Sequence, residues 1–193
     1  MSISLVAGLG NPGREYEASR HNLGWAVVDA FAKKQGLAWK PVGQFEAEVA
    51  RWDTPGRTRW LIKPLTFMNA SGTSVGAFAR FFKIPASDIA VVYDDITIDL
   101  GLVKVSIKGS GGGHNGVLSL LDHVGDGFAR YRLGIGPKHP VQMELSDFVL
   151  GKFTSDQQTL LTQKLENHVL GLELLLSRGS EAAMNQLNRR DPK

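Results

Sequence analysis

The sequence predicts an α/β fold, a single three-layer domain over residues 1–193 with a twisted mixed, mostly parallel sheet flanked by helices. Apolar runs typical of buried strands alternate along the chain with segments whose apolar residues recur at helical spacing. One pair of strands joined by a tight turn adds antiparallel neighbours, so we expect a mixed sheet. The length of 193 residues, 42% of them hydrophobic, suits one domain with a substantial core.

Turn residues and apolar periodicity place the individual elements. Gly36 and Pro85 end two amphipathic segments, and Pro55 with Gly56 supplies the turn between two strands. Thr154, followed three residues later by a glutamine, is typical of a helix N-cap. The predicted order is strand 3–8, helix 23–36, strands 46–53 and 58–63, helix 70–83, strands 88–95 and 102–108, helix 114–124, strand 130–136 and a leucine-rich helix from 155 to Gly179.

Composition excludes several classes of protein. The charged fraction of 21% is ordinary for a globular chain, and no apolar run is long enough to span a bilayer. Residues 1–8 lack the features of a signal peptide, and the absence of cysteine excludes disulfides, so we expect a cytoplasmic protein. The five histidines form no i, i+4 pair, so no metal site is expected. A net charge of +3 is mild, so any nucleic-acid contact has to come from local basic clusters.

Two glycine-rich stretches resemble nucleotide-binding motifs without their context. "GLGNPG" (8–13) fits G-x-G-x-x-G, but the acidic residue at the required distance, Asp29, falls inside a helix instead of at the end of a second strand. "KGSGGGHNG" (108–116) lacks the G-K-[ST] ending of a phosphate-binding loop. We therefore expect no nucleotide cofactor, and we interpret the first stretch as a tight turn that needs glycine backbone angles.

A third motif keeps a second enzyme class open. "GTSVG" (72–76) matches the G-x-S-x-G nucleophile motif, which requires a strand before the serine and a helix after it. Ser74 instead lies inside the predicted helix 70–83, where small residues favour close helix packing. A serine esterase that uses Ser74 remains the second hypothesis.

Four polar clusters occur where predicted strands end: "GNPGREYEASRHN", "TFMNASG", "YDD" and "GGGHNG". Ligands of open α/β sheets bind outside the carboxyl ends of the strands, so these clusters are expected to share one cleft. In such a cleft His21 can accept a proton near neutral pH, an aspartate can hold its tautomer, and asparagine amides can orient a carbonyl or a water. Without a persuasive serine or cysteine nucleophile, this chemistry favours hydrolysis by an activated water.

"VAGLGNPGREYEASRHNLGW", "KPLTFMNASG", "VVYDD" and "GGGHNGVLSL" resemble the motifs of the bacterial peptidyl-tRNA hydrolase family, in the same order and with similar spacing. The resemblance runs from about residue 3 to residue 150. It implies an esterase that cleaves the bond between a peptide and the 3′-terminal ribose of tRNA, and so recycles tRNA. It also implies a monomer whose partner is peptidyl-tRNA, recognised at its CCA end and acceptor stem, with no membrane, metal or cofactor.

The resemblance assigns a role to each matching residue. His21 would be the general base that activates water, and Asp94, in preference to Asp95, would stabilise it through a hydrogen bond. Asn11 would distinguish a blocked, peptide-like amine from a free one. The residues expected to contact the substrate and the tRNA end, or to line the cleft, are Tyr16, Phe67, Met68, Asn69 and Asn115. Single-stranded CCA bases can stack on exposed aromatic rings, which suits the tyrosine and the phenylalanine.

The phosphate contacts map less well onto the family pattern. The basic residues on predicted strands or next to them that could meet tRNA phosphates are Lys104, Lys108, Arg130 and Arg132. Thr97 stands where relatives usually have another acid, and Ser106 where they often have a second basic residue. The glycine loop also lacks a histidine common in some relatives, so the details of the clamp stay open.

Three further alternatives remain open. His114 precedes Asn115 in the glycine loop and could be a rival base. A non-catalytic RNA-binding domain could use the same basic and aromatic residues. The segment "KHPVQMELSDFVLG" (138–151) is our candidate for a mobile rim of the cleft.

Overall fold

The structure is a computed structural model that describes residues 2–189. The predicted domain, residues 1–193, also includes Met1 and residues 190–193, which lie outside this range. The strands of the described part are β1 (Leu5–Gly8), β2 (Lys40–Val42), β3 (Ala47–Thr54), β4 (Arg57–Pro64), β5 (Ile89–Asp99), β6 (Val103–Ser106) and β7 (Ala129–Gly136). Its α-helices are α1 (Leu23–Lys34), α2 (Ser71–Phe81), α3 (Asn115–Val124), α4 (Leu145–Leu150) and α5 (Ser155–Leu187).

All of these strands join one sheet in the order β2-β3-β4-β1-β5-β7-β6. β1 pairs in parallel with β4 and β5, and β5 pairs in parallel with β7. β3 and β6 run in the opposite direction, and β2 pairs antiparallel with β3. The prediction of a mixed, mostly parallel sheet is confirmed. The carboxyl ends of β1, β4 and β5 meet at one edge of the sheet, which is where ligands bind in such folds.

Helices cover both faces of the sheet, as predicted for three layers. Helices α1 and α5 pack on one face and α2 and α3 on the other, each over its own apolar cluster. β1 contributes to both clusters, because Val6 points to the first face while Leu5 and Ala7 point to the second. A strand that is buried on both faces reads as a continuous apolar run, which is why its sequence predicted a central strand.

Four elements differ from the prediction. β2 and α4 have no apolar periodicity and were not predicted. β5 continues to Asp99, and its register against β7 shifts after Asp95. The leucine-rich helix breaks at Gly179 as predicted, where the backbone has φ 82° and ψ 173°, but helical residues that were not predicted resume after this break and continue to Leu187. The predicted capping box is present, since the Thr154 side chain accepts from the backbone N–H of Gln157.

The expected close packing of small residues is observed between α2 and α3. The backbone N–H of Gly72 donates to Ser119 Oγ at 2.9 Å, and a Cβ on Gly72 would lie only 2.0 Å from the Ser119 carbonyl oxygen. Only glycine therefore permits this approach of the two helices. Within residues 2–189 none of the helices combines the length and the apolar character that a membrane crossing requires.

Candidate active site

His21 and Asp94 form a buried pair at the carboxyl edge of the sheet. His21 lies in a short 3₁₀ turn, Arg20–Asn22, that leads directly into α1, and Asp94 lies in β5. The Nδ1 atom of His21 is 2.9 Å from Oδ1 and 3.0 Å from Oδ2 of Asp94. With Nδ1–H donating to the carboxylate, Nε2 carries the free lone pair. Among the described residues, this Nε2 has no hydrogen-bond partner.

His114 contacts the same carboxylate but with both of its ring nitrogens engaged. Its Nε2 is 3.0 Å from Asp94 Oδ1, and its Nδ1 accepts the backbone N–H of Val117 at 3.3 Å as the N-cap of α3. This network assigns the proton to Nε2, which donates to the carboxylate. His114 therefore keeps no free lone pair for a substrate, although its ring centroid is only 4.6 Å from that of His21. The geometry favours His21 over His114 as a base.

Two opposing effects set the charge of Asp94. Burial would raise the pKa of this carboxyl, but charge interactions and hydrogen bonds with His114 and His21 lower it below its usual value. The carboxylate thus stays ionised between the two imidazoles. An ionised carboxylate can stabilise an imidazolium that forms during a reaction.

The same three residues have the composition of a metal site. Their ligand atoms, from His21, Asp94 and His114, lie within 4.8 Å of one another. However, each histidine bonds directly to the carboxylate at 2.9–3.0 Å. Since both imidazoles use Asp94 as their acceptor, a metal ion would have to replace these hydrogen bonds. The donor set as arranged suits proton transfer better than metal binding, and the absence of a metal stays a prediction.

A second network joins Asn11 to Asn22, the residue after His21. Asn22 Oδ1 accepts the backbone N–H of Asn11 at 2.8 Å, and Asn22 Nδ2 donates to the Asn11 carbonyl at 2.9 Å. Asn11 Oδ1 accepts the backbone N–H of Met68 at 2.7 Å. These bonds fix the Asn11 amide and leave its Nδ2 group without a partner among the described residues. Sequence reasoning missed this role of Asn22, whose only signal was its place after His21 in "SRHN".

The aromatic residues assigned to the tRNA end lie near this network. The Tyr16 and Phe67 rings meet edge to face, with centroids 6.5 Å apart, and Phe67 is 60% exposed. Met68 is buried, and its sulfur lies next to Gly116 at the start of α3. Asn69 is exposed in the same turn. An aromatic pair with one exposed and one half-buried ring offers a stacking surface for bases.

A cavity of about 370 Å³ opens beside the pair. His21, Asp94 and Asn115 line it together with the glycine loop and one side of α4. Asn11, Tyr16, Phe67, Met68 and Asn69 do not line this cavity, so the predicted site residues form two groups that meet at His21.

The basic residues differ in how free they are. Arg130 is buried, its guanidinium donates to the carbonyls of Gly109 and Ser110, and Asp126 lies 3.5 Å away. These contacts hold the glycine loop and occupy the side chain, so the structure gives less support to Arg130 as a phosphate contact. Lys108 is exposed and lines the cavity.

Arg132 and Lys104 lie opposite each other on β7 and β6. Arg132 Nε donates to Asp95 Oδ2 at 2.8 Å, while Thr97 donates twice to Asp95 Oδ1. Burial would raise the pKa of Asp95, but these hydrogen bonds with Thr97 and Arg132 lower it. Asp95 therefore forms an ion pair with Arg132, whereas Asp94 is the carboxylate that bonds to His21.

The two motifs set aside in the sequence have structural explanations. In "GLGNPG" a Cβ on Gly10 would lie 2.6 Å from the Trp25 ring, and Gly13 has φ 114°, so the glycines permit a tight turn. Ser74 is buried within α2, and its Oγ has no hydrogen-bond partner among residues 2–189. A serine without a neighbouring base does not favour the nucleophile hypothesis.

Comparisons with known proteins identify the family. A family model described as Peptidyl-tRNA hydrolase matches residues 5–193. The chain belongs to the peptidyl-tRNA hydrolase family. The expected family is confirmed, and with it the expectation of an enzyme of the hydrolase class.

Individual members of the peptidyl-tRNA hydrolase family resemble the chain over almost its whole length. The protein of that name from Gloeobacter violaceus is 41% identical over 191 residues, which is 98% of this chain and 96% of the relative. The one from Symbiobacterium thermophilum is 43% identical over 187 residues, or 95% and 98% of the two chains. The crystal structure of peptidyl-tRNA hydrolase from Acinetobacter baumannii superposes with a TM-score of 0.90 at 36% identity, covering 99% of this chain and 97% of that one.

Proposed function

We propose that the chain hydrolyses the ester bond between peptide and tRNA in peptidyl-tRNA, with His21 activating the attacking water. One observation carries the proposal. His21 Nδ1 is held by the Asp94 carboxylate at 2.9 Å, while Nε2 has no partner among the described residues and the side chain lines a cavity. A general base needs this combination of an oriented ring and an available lone pair.

The reaction follows from that arrangement. His21 Nε2 takes a proton from water, and the resulting hydroxide attacks the ester carbonyl carbon. The Asp94 carboxylate stabilises the imidazolium that forms. When the bond between the carbonyl carbon and the 3′-oxygen of the ribose breaks, the imidazolium returns the proton to that oxygen. The products are a free peptide acid and a tRNA with an intact 3′ end, which can be charged again.

Amide groups around His21 can recognise the substrate. The free Nδ2 group of Asn11 is a donor at a fixed position, suited to the carbonyl of a blocked amine. We assign Asn69 and Asn115 to contacts with the ester and the terminal ribose, because both side chains are exposed and Asn115 lines the cavity beside His21. No covalent intermediate is required, since an ester is more reactive toward water than an amide.

The tRNA itself would extend away from the catalytic pair on two sides. Tyr16 and Phe67 offer stacking surfaces to the single-stranded CCA end. Lys104 and Arg132, opposite each other on neighbouring strands, suit phosphates of the acceptor stem. In this account the enzyme acts in the cytoplasm as a monomer without a cofactor and returns tRNA to translation.

The test is release of labelled amino acid from N-acetyl-aminoacyl-tRNA, compared with the same tRNA carrying a free amine. We expect rapid hydrolysis of the blocked substrate and slow hydrolysis of the free one, with full activity in the Ser74→Ala variant. If the wild type binds the blocked tRNA but does not hydrolyse it, the domain is a non-catalytic RNA binder. If Ser74→Ala is inactive and a fluorophosphonate labels only the wild type, the serine esterase hypothesis replaces this one.

A further inference from the structure

Arg20 precedes His21 in the catalytic turn, and its side chain reaches away from the histidine pair into the segment after β7. Its Nη1 donates to the carbonyl of Phe148 at 3.1 Å, and its Nη2 donates to Gln157 Oε1 at 3.2 Å. The guanidinium carbon also lies 4.2 Å from the centre of the Phe148 ring and 5.4 Å from that of Phe153. The residue is only 7% exposed, so this charge is held inside the protein.

Backbone contacts join the same two segments. The Arg20 N–H donates to the Gly151 carbonyl at 3.0 Å, and Ser19 forms an isolated β-bridge with Lys152. A Cβ on Gly151 would lie 3.0 Å from Arg20 Nη1, so the chain passes close to the guanidinium. The catalytic turn and the segment after α4 are therefore bonded through side chain and backbone together.

Helix α4 contacts both the cavity and Arg20. Leu145, Ser146 and Val149 line the cavity beside His21. Phe148 is buried on a neighbouring side of the helix, against Arg20. α4 has only six residues and makes few backbone bonds of its own, so its position depends on such tertiary contacts.

We propose that Arg20 is a positioning residue that links the catalytic turn to α4 and so fixes the wall that α4 contributes to the substrate cleft. Its effect on substrate binding rests on the proposed function, whereas its effect on α4 does not. Arg20 does not touch the reacting atoms. It acts through Phe148, because moving that residue moves the cavity-lining side of the same helix.

Only arginine can make these contacts together. The planar guanidinium donates in two directions while one face stacks on Phe148, whereas a lysine ammonium offers a point charge without a stacking face. Arg20→Lys thus keeps the positive charge but loses the paired hydrogen bonds and the stacking on Phe148. A matched control is Arg59→Lys, because Arg59 also donates to two carbonyls, of Ile3 and Leu176, and lies over the Trp52 ring, remote from the cleft.

The experiment measures amide hydrogen exchange in peptides covering 145–152, together with KM and kcat for N-acetyl-aminoacyl-tRNA. We expect Arg20→Lys to speed exchange in this segment and to raise KM about tenfold, as the loss of one hydrogen bond to a charged group implies. The value of kcat and its pH profile should stay close to wild type, because the contact between His21 and Asp94 is unchanged. Arg59→Lys should change neither the exchange nor KM.

Several results would overturn the proposal. Unchanged amide exchange in a folded Arg20→Lys protein would show that Arg20 does not hold α4. Faster exchange with an unchanged KM would show that the position of α4 does not affect substrate binding. An equal effect of Arg59→Lys would show a general loss of stability. Should Arg20→Lys not fold, Phe148→Leu removes the stacked ring while keeping Arg20 and is expected to give the same change in exchange and KM. If the wild type itself does not hydrolyse the substrate, the proposed function fails. The exchange result still shows whether Arg20 holds α4.

Discussion

His21 and His114 share one carboxylate, yet only His21 keeps a ring nitrogen without a partner among the described residues. His21 uses Nδ1 for Asp94, whereas His114 uses Nε2 for Asp94 and Nδ1 for the start of α3. The second histidine therefore acts as a fixed donor that orients the carboxylate. This difference separates two residues that the sequence left as rivals.

Replacing Asp94 by asparagine should reveal the role of its charge. Asp94→Asn keeps the size of the side chain but favours the wrong histidine tautomer and no longer stabilises an imidazolium, so we expect kcat to fall by about 10²–10⁴. The measurement is single-turnover hydrolysis of N-acetyl-aminoacyl-tRNA. Asp95→Asn is the control, and its main effect should be on KM, because Asp95 bonds to Arg132. A larger loss of kcat in Asp95→Asn than in Asp94→Asn would reverse the assignment.

The sequence singles out residues that stand in polar clusters at strand ends, and it gives no signal for residues that act only through contacts outside such clusters. His21 and Asp94 could be found because each stands in a polar cluster at a strand end. The role of Arg20 depends on Phe148 and Gln157, which lie more than a hundred residues away in the sequence. No local sequence pattern indicates that contact. The burial of Arg130 depends in the same way on how the glycine loop folds back over it.

The packing of α2 on α3 explains the small residues of "GTSVG" without any catalytic role. Gly72 approaches the backbone of Ser119, and both helices then carry the turns that hold Met68 and His114. A nucleophile motif and a close helix contact use the same small residues. Their surroundings, a helix on both sides of Ser74, distinguish the two.

Substituting Gly72 tests this contact between helices. We expect Gly72→Ala to lower the free energy of unfolding by about 1–3 kcal/mol or more, since a new methyl group would collide with backbone atoms of α3. Chemical denaturation measures the change. Gly76→Ala, one turn later in the same helix, is the control and should lose clearly less, because a Cβ there would lie 3.1 Å from the flexible end of Arg80 and 3.2 Å from the His123 carbonyl oxygen, against 2.0 Å for Gly72. Equal stability of wild type and Gly72→Ala would contradict the close contact.

Helix and strand boundaries were predictable where side-chain periodicity and turn residues coincide. Gly179 was expected to end the last helix, and its positive φ does break it, but packing of the following turn continues the helical residues to Leu187. α4 is too short to show a periodic pattern, and its position depends on tertiary contacts, among them those with the Arg20–Asn22 turn and the burial of Phe148 in the core. Local rules describe such segments poorly because distant residues decide their conformation.

The sequence predicted the fold class of the sheet but not the order of its strands. Alternating strands and helices predicted three layers, and the turn at Pro55 and Gly56 predicted the β3–β4 hairpin. That β1 lies between β4 and β5 follows from long-range packing that leaves no local signal. Four motifs scattered along the chain meet at one edge because of this order.

His168 makes the stability of the protein depend on pH. It is buried in α5, its Nε2 has no partner among the described residues, and burial, with a smaller effect of Lys164, lowers its pKa to about 4. In the unfolded chain a histidine has a pKa of about 6.5. Between these values the unfolded chain binds a proton that the folded chain does not. Stability therefore falls as the pH decreases from about 6.5 to about 4, by about 3 kcal/mol in total, and is unaffected by this residue above that window.

Thermal unfolding of wild type and His168→Gln between pH 7 and pH 4 measures this effect. We expect the melting temperature of the wild type to fall more steeply, because the variant has lost the titrating group. His139→Gln is the control, since His139 is exposed, and it should follow the wild type. The same slope in His168→Gln as in the wild type would contradict the buried, neutral state of this histidine.

The decisive measurement on the proposed mechanism is the single-turnover rate of N-acetyl-aminoacyl-tRNA hydrolysis by His21→Ala and His114→Ala, with tRNA affinity measured in parallel. We expect His21→Ala to bind tRNA like the wild type but to hydrolyse about 10²–10⁴ times more slowly, as the loss of a general base requires. His114→Ala should lose less than His21→Ala, about tenfold to a hundredfold, as removal of one hydrogen bond to a charged group implies. A His21→Ala protein that retains the wild-type rate, or a His114→Ala protein that loses as much as His21→Ala, would contradict the assignment of His21 as the base.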